Sequence, residues 1–253
     1  MRRIAMTRHP VFVAIFLLSV VALIFGTTAR KSWAEKHNKG AKMPFEQASI
    51  YIEFYSTAQD AGIQVALDAE AWKDLRIVSP DGRSILALNG KGSLKKLGLS
   101  EFFFESDEPA LQDMPLKDFL AMFPEGEYKF FGTTPDGEKL LSTATFSHEI
   151  PDGPVIVSPA LQDRDSTVIQ WDLVTTPPGI EIASYEVVIE QEDRTFDVKL
   201  PGTATRVTIP SEFLEPGTGY PFEVLAKAEN GNQTITESSF STEELAAATR
   251  RHH

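Results

Sequence analysis

The sequence predicts an all-β protein built from two sandwich-like halves in tandem, the first carrying one short helix. Three observations predict it. Short runs alternate apolar and polar residues with a period of two. Asp-Gly and Asn-Gly pairs sit between those runs, where hairpins turn. A cluster of Pro151, Gly153, Pro154 and Pro159 then breaks every pattern, and a new set of strands begins beyond it.

In the first half, residues 46–150, "SIYIEFY" sets Ile50, Ile52 and Phe54 against Tyr51, Glu53 and Tyr55. "GIQVALD" continues with Ile63, Val65 and Leu67, and "WKDLRIV" and "SILAL" flank a turn at Pro80-Asp81-Gly82. "YKFFGTTPDGEKLLSTATF" repeats the device around Pro135-Asp136-Gly137. Between these hairpins, Leu116, Phe119, Leu120 and Phe123 fall on one stripe of a helix that Pro115 opens and Pro124 and Gly126 stop. The run Phe102-Phe103-Phe104 makes its strand apolar on both faces. The expectation is that both faces are covered, with the helix over one of them.

The second half spans roughly residues 152–242. Ile169, Trp171 and Leu173 share a face in "STVIQWDLV", and Tyr185, Val187 and Ile189 line the next strand. "LEPGTGY" then leads through a Pro216-Gly217 turn into Tyr220, with Phe222, Val224 and Ala226 behind it, and Asn230-Gly231 makes the last hairpin. Trp171, Leu-x-Pro-Gly-Thr-x-Tyr and their spacing resemble a fibronectin type III domain, whose tyrosine corner packs a ring on the core and bonds its hydroxyl to nearby backbone. The resemblance implies a structural core that includes Trp171, Tyr185, Tyr220 and Phe222. It implies a fold that hosts many functions, commonly as spacers or as protein- or glycan-binding modules. Pro221 lacks a backbone donor, which places the start of its strand at an edge or outside the ladder. The first half matches no named family, though its hairpin rhythm is immunoglobulin-like.

Composition narrows the function classes. Of 253 residues, 42% are hydrophobic and 24% charged, enough for a packed core. A net charge of -12 argues against a nucleic-acid partner and disfavours anionic lipid. Residues 1–34 read as a signal peptide: Arg2, Arg3 and Arg8, an apolar run over residues 11–26, then small residues that fit cleavage after Ala29 or Ala34. An uncleaved anchor in the inner membrane is the alternative, and only then would the protein touch a membrane. Export without any cysteine points to a bacterial envelope, periplasmic or secreted protein. Residues 35–45 read as a flexible leader and 243–253 as a C-terminal tail.

The sequence names no catalytic, cofactor or metal residue. His148 is the one histidine in the folded region, and no Gly-x-Ser-x-Gly occurs. Phe103, Glu105, Asp107 and Glu108 form a weak candidate surface; this acidic loop lacks the EF-hand spacing and reads as a solvated approach to a helix N-terminus. "NQT" at Asn232 fits a glycosylation acceptor by chance. The expectation is therefore an exported, non-enzymatic binding or structural module with a protein or glycan partner. The alternative is an accessory carbohydrate-binding or calcium-dependent adhesive protein, and a small hydrolase with paired carboxylates stands third.

Overall fold

The computed structural model describes residues 42–244. The signal-peptide segment, residues 35–41 of the leader and most of the tail lie outside the described residues. Residues 43–45 do not form a flexible leader: Met43 bridges to Leu140, and Phe45 is buried in the first core with its N–H donating to Ser142 Oγ, so the chain is already held to the sandwich there. Among the described residues, no helix is long and apolar enough to cross a membrane.

The first half contains β1 (Gln47–Tyr55), β2 (Asp60–Trp72), β3 (Asp74–Val78), β4 (Ser84–Asn89), α1 (Gly92–Leu97), β5 (Leu99–Glu105), α2 (Leu116–Met122), β6 (Gly126–Thr133) and β7 (Lys139–Phe146). Strands β5, β2 and β1 form one layer, and β4, β3, β6 and β7 the other. Alternation decides what lies between the layers. Ile50 and Ile52 of β1 pair with Val65 and Ile63 of β2 and face a core completed by Trp72, Leu75, Ile77, Tyr128, Phe130 and Phe146. The chain changes layers across a single residue, Lys73, between β2 and β3. Both Pro-Asp-Gly turns form as the sequence predicts, with Gly82 at φ 84° and Gly137 at φ 95°, a region other residues rarely enter.

Helix α2 lays Phe119 into the core, with Leu116, Leu120 and Phe123 packed beside it. Helix α1 is an addition that periodicity does not signal, because none of its residues is buried. The three phenylalanines divide as alternation requires, but the expected coverage holds for one face only. Phe102 and Phe104 stack at 6.4 Å against the core that α2 also covers. Phe103 points away from it and is 37% exposed. The helix folds over the face that already belonged to the core, so Phe103 is left outside.

The second half contains β8 (Leu161–Gln162), a 3-10 turn (Arg164–Ser166), β9 (Val168–Gln170), β10 (Ile182–Glu190), β11 (Thr195–Pro201), β12 (Arg206–Thr208), β13 (Gly219–Ala228) and β14 (Gln233–Thr242). β9 and β12 pair with each other; β11, β10, β13 and β14 form the larger layer, with β8 beside β14. Ile169, Trp171, Tyr185, Val187, Tyr220, Phe222 and Phe240 are buried between them. Leu173 does not join this core and is 49% exposed, because the β9 ladder ends at Gln170 and alternation lapses beyond Trp171. Pro221 lies within the β13–β14 ladder but beyond the last β10 partner, Phe222, so the β10 ladder does not need its missing donor.

The two halves share one sheet. β1 pairs in parallel with β14, matching Glu53 with Gln233, Phe54 with Thr234 and Tyr55 with Ile235. The strand order therefore runs β11-β10-β13-β14-β1-β2-β5 without interruption. Asn232, just before β14, extends this seam. Its Oδ1 accepts from the backbone N–H of Ile52 at 2.8 Å, while its Nδ2 donates to the carbonyls of Ser147 and Glu149 at 2.9 and 2.8 Å. Fully buried, the side chain cannot also serve as a glycan acceptor.

At the corner before β13, the Tyr220 hydroxyl accepts from the backbone N–H of Glu215 at 2.6 Å, and its ring stacks on Phe240. Tyr220→Phe keeps the ring but leaves that N–H unpaired, and should cost about 1–3 kcal/mol in denaturant unfolding. Glu190→Gln, at an exposed position of β10, serves as the neutral control. Equal effects from the two changes would remove the tyrosine corner as a stabilising element.

Candidate functional site

Strand pairing fixes which side chains share the face of the common sheet opposite the two cores. On β1 these are Tyr51, Glu53 and Tyr55, and on β2 the residues paired with them are Gln64, Gly62 and Asp60. Glu105 of β5 pairs with Gln64, and Phe103 with Ala66. Across the seam, Gln233 and Ile235 of β14 lie beside Lys227 and Leu225 of β13, and Glu186 of β10 pairs with Leu225.

Three carboxylates converge on this face. Glu53, Glu105 and Glu108 each bring one oxygen to within 4.8 Å of the others. Glu53 is fully buried. The Gln64 amide binds two of them, donating from Nε2 to Glu53 Oε1 and Glu105 Oε1, each at 2.9 Å. From the other half of the molecule, Gln233 Nε2 donates to Glu53 Oε2.

Glu108 arrives from a loop held along β2. The backbone N–H groups of Ser106 and Leu111 donate to the carbonyls of Ile63 and Gln59 at 2.9 and 2.8 Å, and Ala110 bridges to Asp60. Gly62 leaves the room that Glu108 occupies, since a Cβ there would stand 2.9 Å from both Cγ and Oε1 of Glu108.

Burial and mutual repulsion resist ionisation here. Burial first, then the charges of Glu108 and Glu105, push the Glu53 carboxyl up to about 8, against a smaller lowering by Lys227. Glu108 is pushed up to about 8 by burial and then by Glu105 and Asp60. Farther along the face, burial and Glu237 raise Glu223 to about 7. Glu186 behaves oppositely: burial opposes its charge, but its ion pair with Lys227, the charge of Lys199 and a bond with Asp197 together outweigh that and lower it.

The weak candidate surface read from the sequence is thus partly assembled. Glu105 and Glu108 meet, Phe103 flanks them on the same face, and Asp107 points to solvent. Glu53, Gln64, Gly62 and Gln233 complete the cluster and were not singled out in the sequence. Its one signal is a carboxylate in mid-strand within "SIYIEFY", which alternation by itself assigns to solvent. Trp171, Tyr185, Tyr220 and Phe222 lie in the second core; the Tyr185 hydroxyl accepts from the Val174 N–H at 2.8 Å. His148 stands apart, its Nε2 2.7 Å from the Phe123 carbonyl and its ring edge-on to Phe146.

Residues 154–242 match the fibronectin type III domain family. The C-terminal half of the chain is a fibronectin type III domain. No curated protein matches the sequence. Among solved structures, a two-domain fibronectin type III segment of chicken tenascin is 14% identical at a TM-score of 0.30, covering 78% of this chain and 98% of that one. The fibronectin type III domain of human collagen alpha-1(XX) is 21% identical at 0.31, covering 41% and 95%. A Clostridium perfringens spore cortex lytic enzyme is 17% identical at 0.29, covering 36% of this chain and only 28% of that one. TM-scores this low support no inference of their own.

The raised carboxyls give stability a definite pH dependence in metal-free solution. The folded state keeps protons on Glu53 and Glu108 up to about 8, whereas the unfolded chain releases them near 4.5. Their contribution is therefore complete below the unfolded value and is lost as pH rises through the folded one. The melting temperature should fall between about pH 5 and about pH 8. Glu53→Gln, uncharged at every pH, should flatten that fall; an unchanged slope would mean that Glu53 is ionised throughout.

Proposed function

We propose that the protein is an exported, non-enzymatic binding or structural module of the bacterial cell envelope, in which two sandwiches act as one stiff unit toward a protein or glycan partner. The sheet that continues from β5 to β11 through the β1–β14 seam carries this reading. Fibronectin type III domains joined by free linkers move independently, whereas a seam of backbone rungs and a buried Asn232 resists hinging. The basic and apolar start of the chain and its lack of cysteine support export to an envelope compartment.

The chemistry of the face supports a non-catalytic role. A glycosidase needs two carboxyl groups flanking a substrate-sized cleft. Here Glu53 is fully buried and bonded by two glutamine amides, so it has no path to a sugar. His148, the one histidine among the described residues, is tied to a backbone carbonyl.

Calorimetry on the exported protein tests the stiff unit. The wild type should melt in one cooperative transition, and Asn232→Ala, which strands the Ile52 N–H and the Ser147 carbonyl, should lower that transition or split it. Two separate transitions in the wild type would refute a single unit. Intact mass from the native host should place the mature N-terminus at Arg30 or Glu35, and glycan and peptide arrays should yield a ligand without turnover. Retention of the full-length chain in the cytoplasm, or hydrolysis abolished by Glu105→Gln, would overturn the reading.

A further inference from the structure

We propose that Glu53, Glu105 and Glu108, together with the side-chain carbonyl of Gln64, bind one calcium ion beside the seam, fastening the loop after β5 onto the shared sheet. The inference stands on the geometry of the cluster and does not depend on the exported or binding reading above.

The donor set is oxygen only, which selects a hard cation and excludes the nitrogen- and sulfur-seeking metals. The three carboxylate oxygens lie within 4.8 Å of one another. Calcium accepts six to eight oxygens in flexible geometry, whereas magnesium demands a near-ideal octahedron and keeps its waters, so an irregular set of carboxylates and an amide carbonyl favours calcium.

A second observation points to a ligand. Gln64 is 1% exposed, its amide sits between Glu53 and Glu105, and its Oε1 is buried with no hydrogen-bond partner. A half-turn of that amide would exchange its two donations to Glu53 and Glu105 for a carbonyl turned toward them, as a cation among the carboxylates requires. Glu108 Oε1 is also buried and unpartnered. The Tyr55 hydroxyl, on a side chain 6% exposed and on the same strand face as Glu53, has no partner either. One added proton can satisfy one of these oxygens, but a cation with six to eight ligands can satisfy several.

The protein does not neutralise the cluster with its own cations. Lys227 acts on Glu53, yet it is ion-paired with Glu186. Gly62 shows that the arrangement is accommodated by the backbone, since any larger residue would push Glu108 off the cluster.

Calcium must compete with protons. Glu53 faces Glu105 of β5, Glu108 of the loop, and Lys227 and Glu223 of β13; Glu108 faces Glu105, Asp107 and Asp60 of β2. Carboxylates bind calcium in their ionised form, so protons compete with calcium for the cluster.

Isothermal titration of the metal-stripped protein with calcium chloride tests this. The expectation is one ion per chain with Kd on the order of 10⁻⁴ M at about pH 8, a rise in melting temperature, and affinity weaker by roughly tenfold or more at about pH 6. Glu108→Gln should weaken binding by about tenfold or more. Gly62→Ala should do the same while leaving the ion-free protein folded, because its methyl displaces only the flexible end of Glu108. Magnesium should bind more weakly than calcium. No binding at about 10 mM calcium, or binding that neither variant changes, overturns the site. So does tighter binding at low pH.

Discussion

Three parallel rungs between β1 and β14 hold this structure in one piece. Each strand would otherwise be the edge of its own sandwich, with a row of unpaired N–H and C=O groups. Joining them covers both edges at once and makes one sheet from two. The ladder is short, from Glu53–Gln233 to Tyr55–Ile235, and Asn232 lengthens it with its side chain by taking the Ile52 N–H that the backbone of β14 does not reach. The same amide holds the two carbonyls of the segment that leaves β7, so the seam and the linker are fixed by one residue.

The seam also dictates what happens on the outer face of the sheet. Once β14 lies beside β1, Glu53 is no longer at an edge open to water, and its carboxyl needs partners within the protein. Gln64 and Gln233 supply them from either side. One step along, Tyr55, Ile235 and Leu225 form a small apolar cluster of their own. Polar and apolar pairs at successive positions make the register specific. Slipping β14 by one residue would turn Gln233 and Ile235 to the opposite face, leaving Glu53 unpartnered and placing polar atoms in a core.

How much of this was legible in the sequence follows from the range of each interaction. The two Pro-Asp-Gly turns, the stripe of α2, Trp171 and the Tyr220 corner are set by residues a few positions apart, and they read directly. The β1–β14 pairing joins residues 180 positions apart, and nothing local in "SIYIEFY" or "NQTITESSF" announces it. Alternation placed Glu53 on a solvent face because it assumes that the other side of a sheet is water. The same assumption, reversed, expected Phe103 to be covered. Asn232 shows the same limit: its tripeptide fits a glycan acceptor by chance, and only the seam shows where its amide is spent. Leu173 marks where a ladder stops, which periodicity does not encode.

Gly62 connects the local and the distant parts of the fold. In "GIQVALD" it is only the residue before an alternating run, and it shows no positive φ that would demand a glycine. Its reason is spatial: opposite Glu53 on the neighbouring strand, it leaves a space the depth of one methyl group, and Glu108 fills it. A sequence that only needed to solvate an acidic loop would gain nothing from holding Glu108 against two other carboxylates, because like charges in a buried setting oppose folding. Backbone bonds from Ser106 and Leu111 nevertheless hold the loop down, and the carboxyls meet. The cost of that meeting is removed by whatever neutralises the three oxygens, and a proton does so only while pH stays below the raised values. The loop's docking is therefore tied to the ionic state of the cluster, and Gln233 ties the cluster to the fibronectin type III half.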